Sequence, residues 1–175
     1  MSLRPFSDHQ RGLFVSVDGP SGAGKSTIVQ HLAQLLVAAG EEVHVTAEPS
    51  TGPIGALCRE LTETTTGHAL ACLYAADRYH HLEAEVRPDT ETDRVVLSDR
   101  YIPSGLVMQR FDGIDPAFLW ELNAEADRPD SPSSWKPTPR SSRNGSRSTA
   151  RTIASSSRRA VRTLRRTPTG KPPND

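Results

Sequence analysis

The first regular feature of the chain is a short apolar run from Leu13 to Val17 that ends at Asp18-Gly19. An unbroken run rich in β-branched residues and bounded by a turn predicts a buried strand. From Ser26 to Ala39 the apolar residues recur every three or four positions, and Gly40 follows where a helix end favours positive φ. The pattern predicts a strand, a glycine-rich loop and a helix in succession.

Strands and helices continue to alternate as far as about residue 130. Val43–Ala47 and Arg94–Ser98 predict two further strands, the second buried on both faces. This alternation predicts an α/β fold with a parallel sheet, in one domain over residues 12–130. The predicted helices after the first cover Ile54 to about Glu63, about His68 to Val86 with a stop at Pro88, Ser104–Arg110, and Asp115–Ala126.

The composition changes at residue 131. Residues 1–130 hold 10 Lys and Arg against 20 Asp and Glu, whereas residues 131–175 hold 11 against one. The second segment is rich in Arg, Ser and Pro, so it cannot bury enough apolar surface to offset its ordering entropy. We expect residues 131–175 to be either a disordered basic tail or the product of a shifted reading frame.

The frame-shift hypothesis rests on the genetic code. When Trp135-Lys136 is read one base earlier, it encodes Leu, Met or Val followed by Glu, whichever codons are used. With permitted synonymous codons, residues 131–156 become an apolar strand, an Asp-Pro-Glu turn and an amphipathic helix. A natural basic tail has an electrostatic reason to bind nucleic acid or another anion. Trp135 is its single aromatic residue, however, so base stacking is unsupported and we do not expect a nucleic-acid partner.

The loop between the first strand and helix carries the clearest chemistry. It fits the phosphate-binding pattern of two separated glycines followed by Lys and Ser. Such a loop aims backbone N–H groups and the positive end of a helix at a polyphosphate. Lys25 is expected to contact the β- and γ-phosphates, and Ser26 to bind Mg²⁺. The predicted triphosphate-binding residues are Gly19, Pro20, Ser21, Gly22, Ala23, Gly24, Lys25, Ser26 and Thr27.

Three later motifs, taken with this loop, resemble those of thymidylate kinases over about residues 12–130. The resemblance implies a three-layer P-loop fold and Mg²⁺- and ATP-dependent phosphorylation of dTMP to dTDP. It also implies the sheet order 2-3-1-4-5, so the last two strands and the lid are expected to be missing and the strand at 13–17 to be an exposed edge. The motifs are Glu48-Pro49-Ser50-Thr51-Gly52-Pro53-Ile54-Gly55 with Arg59, Ala75-Ala76-Asp77-Arg78, and Ser98-Asp99-Arg100-Tyr101-Ile102-Pro103-Ser104 with Gln109.

The resemblance also implies roles for individual residues. Arg59 and Arg78 would grip the acceptor monophosphate, and Tyr74 would stack on the thymine. Lys25, Asp99 and Arg100 are the expected catalytic residues, and Ser26 and Asp99 the expected metal-binding ones. The full acceptor-binding set is Glu48, Arg59, Tyr74, Arg78, Gly105, Met108 and Gln109.

Some positions depart from the family pattern and keep other functions open. Ser21 stands where thymidylate kinases usually have an acidic residue, and Gly105 and Met108 replace a polar residue and a tyrosine that disfavours a ribose hydroxyl. We therefore predict poor discrimination between deoxyribose and ribose. The alternatives are another pyrimidine monophosphate kinase, acting on CMP or dCMP, or an inactive, truncated ATP-binding remnant.

The cysteines and the hydropathy of the chain indicate its cellular compartment, and the family resemblance indicates its oligomeric state. Cys58 and Cys72 cannot form a disulfide framework, which is typical of a reducing compartment. No apolar run approaches the length of a membrane span. We expect a cytoplasmic protein whose partners are nucleotide substrates, with no membrane association. The resemblance implies a homodimer formed through the helix near Tyr74 to Val86.

Overall fold

A computed structural model describes residues 11–134, the last four by their backbone alone. Strands and helices alternate along the chain, which confirms the predicted α/β class. The elements are β1 (Phe14–Asp18), α1 (Lys25–Val37), β2 (Val43–Ala47), α2 (Pro53–Leu61), α3 (Gly67–His81), a π-helical turn (Leu82–Val86), α4 (Arg87–Glu91), β3 (Val95–Asp99), α5 (Ile102–Phe111), α6 (Pro116–Leu122) and β4 (Ser131–Ser134).

The sheet is parallel with the strand order β2-β3-β1-β4. Val17 of β1 and Ala47 of β2 both pair with Asp99 of β3, so these three strands end side by side. In parallel α/β sheets, ligands bind outside the carboxyl ends of the strands. This edge is therefore where the structure is expected to place the functional residues.

Apolar side chains cover both faces of the sheet and make three layers. Val15 and Val17 point to the face covered by α1, where they pack with Val29, Leu32 and Leu36. Phe14 and Val96 lie on the opposite face, in a second cluster with residues of the π-helical turn and the start of α5: Leu82, Val86, Tyr101 and Ile102. Strands buried on both faces explain the unbroken apolar runs of the sequence.

The stop predicted at Pro88 is wrong. The helical path continues from α3 through the π-helical turn into α4, which ends at Glu91. Pro88 is at the start of α4, directly after the π-helical turn, so the hydrogen bond that its missing N–H removes falls where the regular α-helical pattern is already interrupted. Among the helices between residues 11 and 134, none combines the length and the hydropathy that a membrane span requires.

The prediction that β1 is an exposed edge is also wrong, because β4 pairs with it. Val15 to Asp18 pair in register with Ser131 to Ser134, and the N–H of Asp130 donates to Phe14 O at 2.8 Å. The free backbone groups of β1 accept a partner strand whatever its side chains, so pairing outweighs the low strand propensity of Ser and Pro. One of the two strands expected to be missing is thus present. The predicted lid and the remainder of the basic tail lie beyond residue 134, outside the described residues. The choice between a natural tail and a shifted reading frame therefore stays a prediction.

Candidate active site

The predicted phosphate-binding loop lies between β1 and α1. Gly22 and Gly24 have φ values of 73° and 82°, and Gly24 is the N-cap of α1. No atom lies within 4 Å of a Cβ built on either glycine. Glycine is therefore favoured here by the left-handed backbone conformation and not by lack of space. That backbone lets the loop turn directly into the N-terminus of α1, where unpaired N–H groups attract anions.

Lys25, the first residue of α1, is held inside the loop. Its side chain is only 5% exposed, and Nζ donates to the Pro20 carbonyl at 2.6 Å. Burial and the positive charge of Arg100 lower the pKa of Lys25, against the raising effect of Asp99 and Asp18. The ammonium is thus held against the loop by a backbone carbonyl of the loop itself.

Ser26 and Asp99 form an oxygen-rich pair beside Lys25. Ser26 Oγ donates to Asp99 Oδ2 at 2.5 Å, while Asp99 Oδ1 is buried and has no hydrogen-bond partner among the described residues. Hydroxyl and carboxylate oxygens are the ligands that Mg²⁺ prefers. The unpartnered oxygen leaves this pair with a free ligand atom of the type that such a cation requires.

Arg100 connects β3 to the loop. It has a φ of 84°, uncommon for a residue other than glycine, and its N–H donates to Val17 O at 3.0 Å. Its Nη2 donates to Ser21 Oγ at 3.1 Å. Strained backbone conformations of this kind are concentrated at functional sites. The guanidinium thereby lies against the loop at the carboxyl edge of the sheet.

Asp18 is a supporting residue that the sequence analysis treated only as a turn residue. Its Oδ1 accepts hydrogen bonds from the N–H groups of Tyr101 and Ser104, both at 3.0 Å, and from Ser104 Oγ at 2.6 Å. A carboxylate on free N–H groups at a helix start is favourable in the same way as an N-cap. Asp18 therefore fixes the start of α5 against the end of β1.

A cavity of about 310 Å³ opens next to the loop. It is lined by six of the seven predicted acceptor residues, and Ser21 and Arg100 lie at its wall as well. The sequence analysis gave no role to its other lining residues: Pro49, Tyr101 and Ser104 lie within the quoted motifs without an assigned function, and no local motif marks the rest. The six predicted residues are Glu48, Tyr74, Arg78, Gly105, Met108 and Gln109, and the unpredicted ones include Pro49, Thr62, Thr65, Thr66, Leu70, Tyr101, Ser104 and Asp112.

Arg59 is the predicted acceptor residue that does not line the cavity. Its Nη1 donates to the carbonyls of Pro49 and Ser50 at 2.9 and 2.7 Å. Asp77 holds the same loop from the other side, accepting from the N–H and Oγ of Ser50 at 2.8 and 2.6 Å. Both charged residues, as the structure places them, fix the backbone that follows Glu48.

Arg78 is the most buried cation of the cavity wall, with 3% exposure. Its Nε and Nη2 donate to Glu48 Oε2 at 3.1 and 2.8 Å, and its Nη1 donates to Asn123 Oδ1. The guanidinium carbon lies 5.4 Å from the centre of the Tyr101 ring. A Cβ on Gly105 would lie 3.3 Å from Nη2, so the absence of a side chain there leaves room beside Arg78.

Comparisons with known proteins agree on one family. The family described as "Thymidylate kinase" matches residues 17–134. A probable thymidylate kinase of Thermococcus gammatolerans is 39% identical over 130 residues, which cover 68% of this chain and 62% of the relative. A thymidylate kinase of Clavibacter sepedonicus is 44% identical over 102 residues, covering 56% and 48%.

A solved structure shows the same likeness. The crystal structure of a thymidylate kinase from Ehrlichia chaffeensis superposes with a TM-score of 0.64 at 25% identity and covers 72% of each chain. The match to the archaeal relative shows that the chain spans 62% of that protein's length. The family match over residues 17–134 includes the loop, the Asp99-Arg100 turn and the residues that line the cavity.

Proposed function

Because the chain belongs to the thymidylate kinase family, we propose that it transfers the γ-phosphoryl group of Mg²⁺-ATP to dTMP, forming dTDP. The observation that carries the proposal is the junction between the loop and the cavity. Ser21 belongs to the loop, contacts Arg100 and lines the cavity. In-line phosphoryl transfer requires donor and acceptor phosphates to be held side by side, as this junction allows.

In the proposed reaction, the loop binds the triphosphate. Its backbone N–H groups and the start of α1 would contact the phosphates, and Lys25 Nζ would exchange the Pro20 carbonyl for phosphate oxygens. Ser26 and Asp99 would hold Mg²⁺, which the unpartnered Asp99 Oδ1 supports. When bound, the ion neutralises charge on the phosphoryl oxygens.

The cavity binds the acceptor in this proposal. Arg100, beside the loop, would contact the phosphate that receives the group, because it is the cavity cation nearest the donor site. Tyr74 offers a ring for stacking on the base. Arg78 and Gln109 supply polar groups to the wall, and Gly105 leaves space beside Arg78.

One alternative has a specific observation behind it. Ser21, Gly105 and Met108 all line the cavity at positions that depart from the family pattern, which favours a CMP or dCMP kinase as the second candidate. The inactive, truncated ATP-binding remnant named in the sequence analysis stays a prediction. The cytoplasmic location and the homodimer expected from the sequence stay predictions.

The test measures ADP release by the full chain with Mg²⁺-ATP and dTMP, dCMP or CMP as acceptor. We expect release to depend on dTMP and to disappear in Asp99→Asn, which removes one negative charge from the metal pair. Faster turnover with CMP or dCMP would identify the second candidate. ATP binding without acceptor-dependent turnover would identify the inactive chain.

A separate comparison of dUMP with UMP tests the sugar specificity of the cavity. The two acceptors share a base, so their difference isolates the 2′-hydroxyl. We expect similar kcat/KM values for both. A preference for the deoxy substrate above about a hundredfold, roughly 2.7 kcal/mol, would contradict the predicted poor discrimination.

A further inference from the structure

A buried polar cluster extends from Glu48, on the cavity wall, into the protein behind the Arg78–Glu48 pair, and its other members have no role in the proposed reaction. It joins the end of β2, the end of α3 and the π-helical turn. His81 is fully buried and the side chain of Glu48 is 4% exposed. The cluster consists of Thr46, Glu48, His81 and Glu85, with His44 at its outer side.

The hydrogen bonds of Thr46 determine which nitrogen of His81 carries a proton. Thr46 Oγ1 lies 2.9 Å from Glu85 Oε2 and 2.7 Å from His81 Nε2. An ionised carboxylate only accepts, so the single hydroxyl proton goes to Glu85 and the hydroxyl oxygen must accept from His81 Nε2–H. The ring nitrogen of His81 that this arrangement leaves without a proton is therefore Nδ1.

Glu85 is suited to the role of acceptor in this chain of hydrogen bonds. Burial raises its pKa, but the hydrogen bond from Thr46 and the charges of His81 and His44 together lower the pKa below its ordinary value. His44 lies 3.4 Å from Glu85 through Nε2 and 3.3 Å from Asp89 through Nδ1. Both carboxylates thus face His44, and Glu85 also faces His81 Nε2, at 3.7 Å.

His81 Nδ1 and Glu48 Oε1 face each other at 3.7 Å, and neither atom has a hydrogen-bond partner among the described residues. The other oxygen of Glu48 accepts both hydrogen bonds from Arg78. One carboxylate therefore lies between the cavity's buried cation and a titratable ring.

We propose that His81 is a positioning residue whose protonation at Nδ1 strengthens acceptor binding through Glu48 and Arg78. This inference rests on the proposed function, because the acceptor is taken to be a nucleoside monophosphate. A proton on Nδ1 gives Glu48 Oε1 a charged donor, so the carboxylate is shared between two cations and neutralises Arg78 less. The cavity wall then gains positive charge and attracts the anionic acceptor more strongly.

The first experiment compares the Kd of dTMP for the wild-type chain and for His81→Gln at pH 6 and pH 8.5. The Gln amide lies near the position of Nε2 and can keep the hydrogen bond to Thr46. Gln has no donor at the position of Nδ1, so it cannot donate to Glu48. We expect wild type to bind dTMP roughly three- to tenfold more tightly than the variant at pH 6, with the ratio approaching one at pH 8.5. The ratio cancels the titration of the dTMP phosphate itself, whose second pKa is about 6.

Two further variants separate positioning from packing. Asn at position 81 places its amide near Nδ1, so His81→Asn is expected to donate a neutral hydrogen bond to Glu48 at both pH values. Its affinity relative to His81→Gln should therefore be the same at pH 6 and pH 8.5, and smaller than the advantage of wild type at pH 6. His31→Gln lies on α1, across the sheet from the cluster, and is the matched control with unchanged binding. In steady-state assays KM for dTMP should change while kcat stays within twofold of wild type, because His81 lies behind the cavity wall.

Histidine ¹⁵N NMR on the full chain tests the coupling without turnover. We expect the Nε2–H tautomer of His81 at high pH, and a smaller protonated fraction at pH 7 in Glu48→Gln than in wild type. An Nδ1–H tautomer, or a protonated fraction unaffected by Glu48→Gln, would overturn the inference. Wild type that binds no dTMP at any pH would overturn the proposed function, whereas dTMP binding with the same pH dependence in His81→Gln would overturn the inference alone.

Discussion

The phosphate-binding loop and the acceptor cavity are built in opposite ways. The loop comes from consecutive residues, 19–26, and presents backbone groups held by the left-handed Gly22 and Gly24. The cavity is lined by side chains between residues 21 and 112, and its charged groups are fixed by contacts such as Arg78–Glu48, 30 positions apart. A local backbone arrangement tolerates many side-chain changes around it, whereas a buried ion pair tolerates few.

Asp18 and Ser21 connect the two regions. Asp18 ends β1 and holds the start of α5, which forms one wall of the cavity. Ser21 links the loop to Arg100. The comparison predicts that substitutions in the cavity mainly lower the free energy of unfolding and the affinity for the acceptor. Substitutions in the loop should mainly lower kcat.

The largest effect is expected from Arg78→Met. Met preserves much of the volume of Arg78 but leaves the Glu48 carboxylate buried without its cation. Removing one partner of a buried pair costs about 3–5 kcal/mol. We expect the free energy of unfolding, measured by urea denaturation, to fall by that amount.

The double variant Arg78→Met with Glu48→Gln is the matched comparison, since it also removes the uncompensated charge. We expect it to recover more than half of the lost stability. Arg110→Met, at an exposed position of α5, should change stability by about 0.5 kcal/mol or less. A loss below about 1 kcal/mol for Arg78→Met would contradict a dominant role for the buried pair.

The next effect is expected from Lys25→Met in the loop. In the proposed reaction it removes the ammonium that contacts the transferred phosphoryl group. Loss of one preorganised donor to a developing charge typically lowers kcat by about 10² to 10³, or at least roughly 2.7 kcal/mol. Acceptor-dependent ADP release should fall by this factor while the Kd of dTMP stays unchanged, because Lys25 does not line the cavity among the described residues.

Gln30→Met, on the exposed side of α1, is the control for the Lys25 substitution. It should leave turnover and dTMP binding at wild-type values. Turnover by Lys25→Met within tenfold of wild type would show that the loop does not act on the reacting phosphate. A parallel loss of dTMP binding would show that the two regions are less separate than their construction implies.

The same contrast explains how much of the molecule could be predicted from the sequence. The strand, loop and helix over residues 13–39 were predictable because apolar spacing and glycines act locally. Asp18, Asn123 and Thr46 were missed because their partners, Tyr101, Arg78 and His81, are 83, 45 and 35 positions away. No spacing rule in the sequence reports such contacts.

The strand β4 shows the opposite failure, in which a local signal misled. Residues 131–134 have the composition of a tail, and composition alone predicts no strand there. The unpaired backbone of β1 nevertheless supplies a partner, and Asp130 starts the pairing through Phe14. The strand propensity of a segment has little influence when a neighbouring strand has free backbone groups with which the segment can form hydrogen bonds.

The smallest effect concerns the thiols next to the acceptor region. Burial raises the pKa of Cys58 from 9.0 to about 11, and the nearby charge of Asp77 adds to the rise. Folding therefore disfavours the thiolate, and ionisation of this thiol favours the unfolded chain. The thiol leaves the free energy of unfolding at its full value well below pH 9 and lowers it as the pH rises toward 11. We expect this thiol to lower the free energy of unfolding by roughly 1 kcal/mol at pH 10.

Urea denaturation at pH 8 and pH 10 measures this effect. Between these two pH values, Cys58→Ala should lose less stability than wild type. Cys72→Ala, at an exposed position, should keep the wild-type pH dependence. Equal pH dependence in wild type and Cys58→Ala would contradict the burial effect.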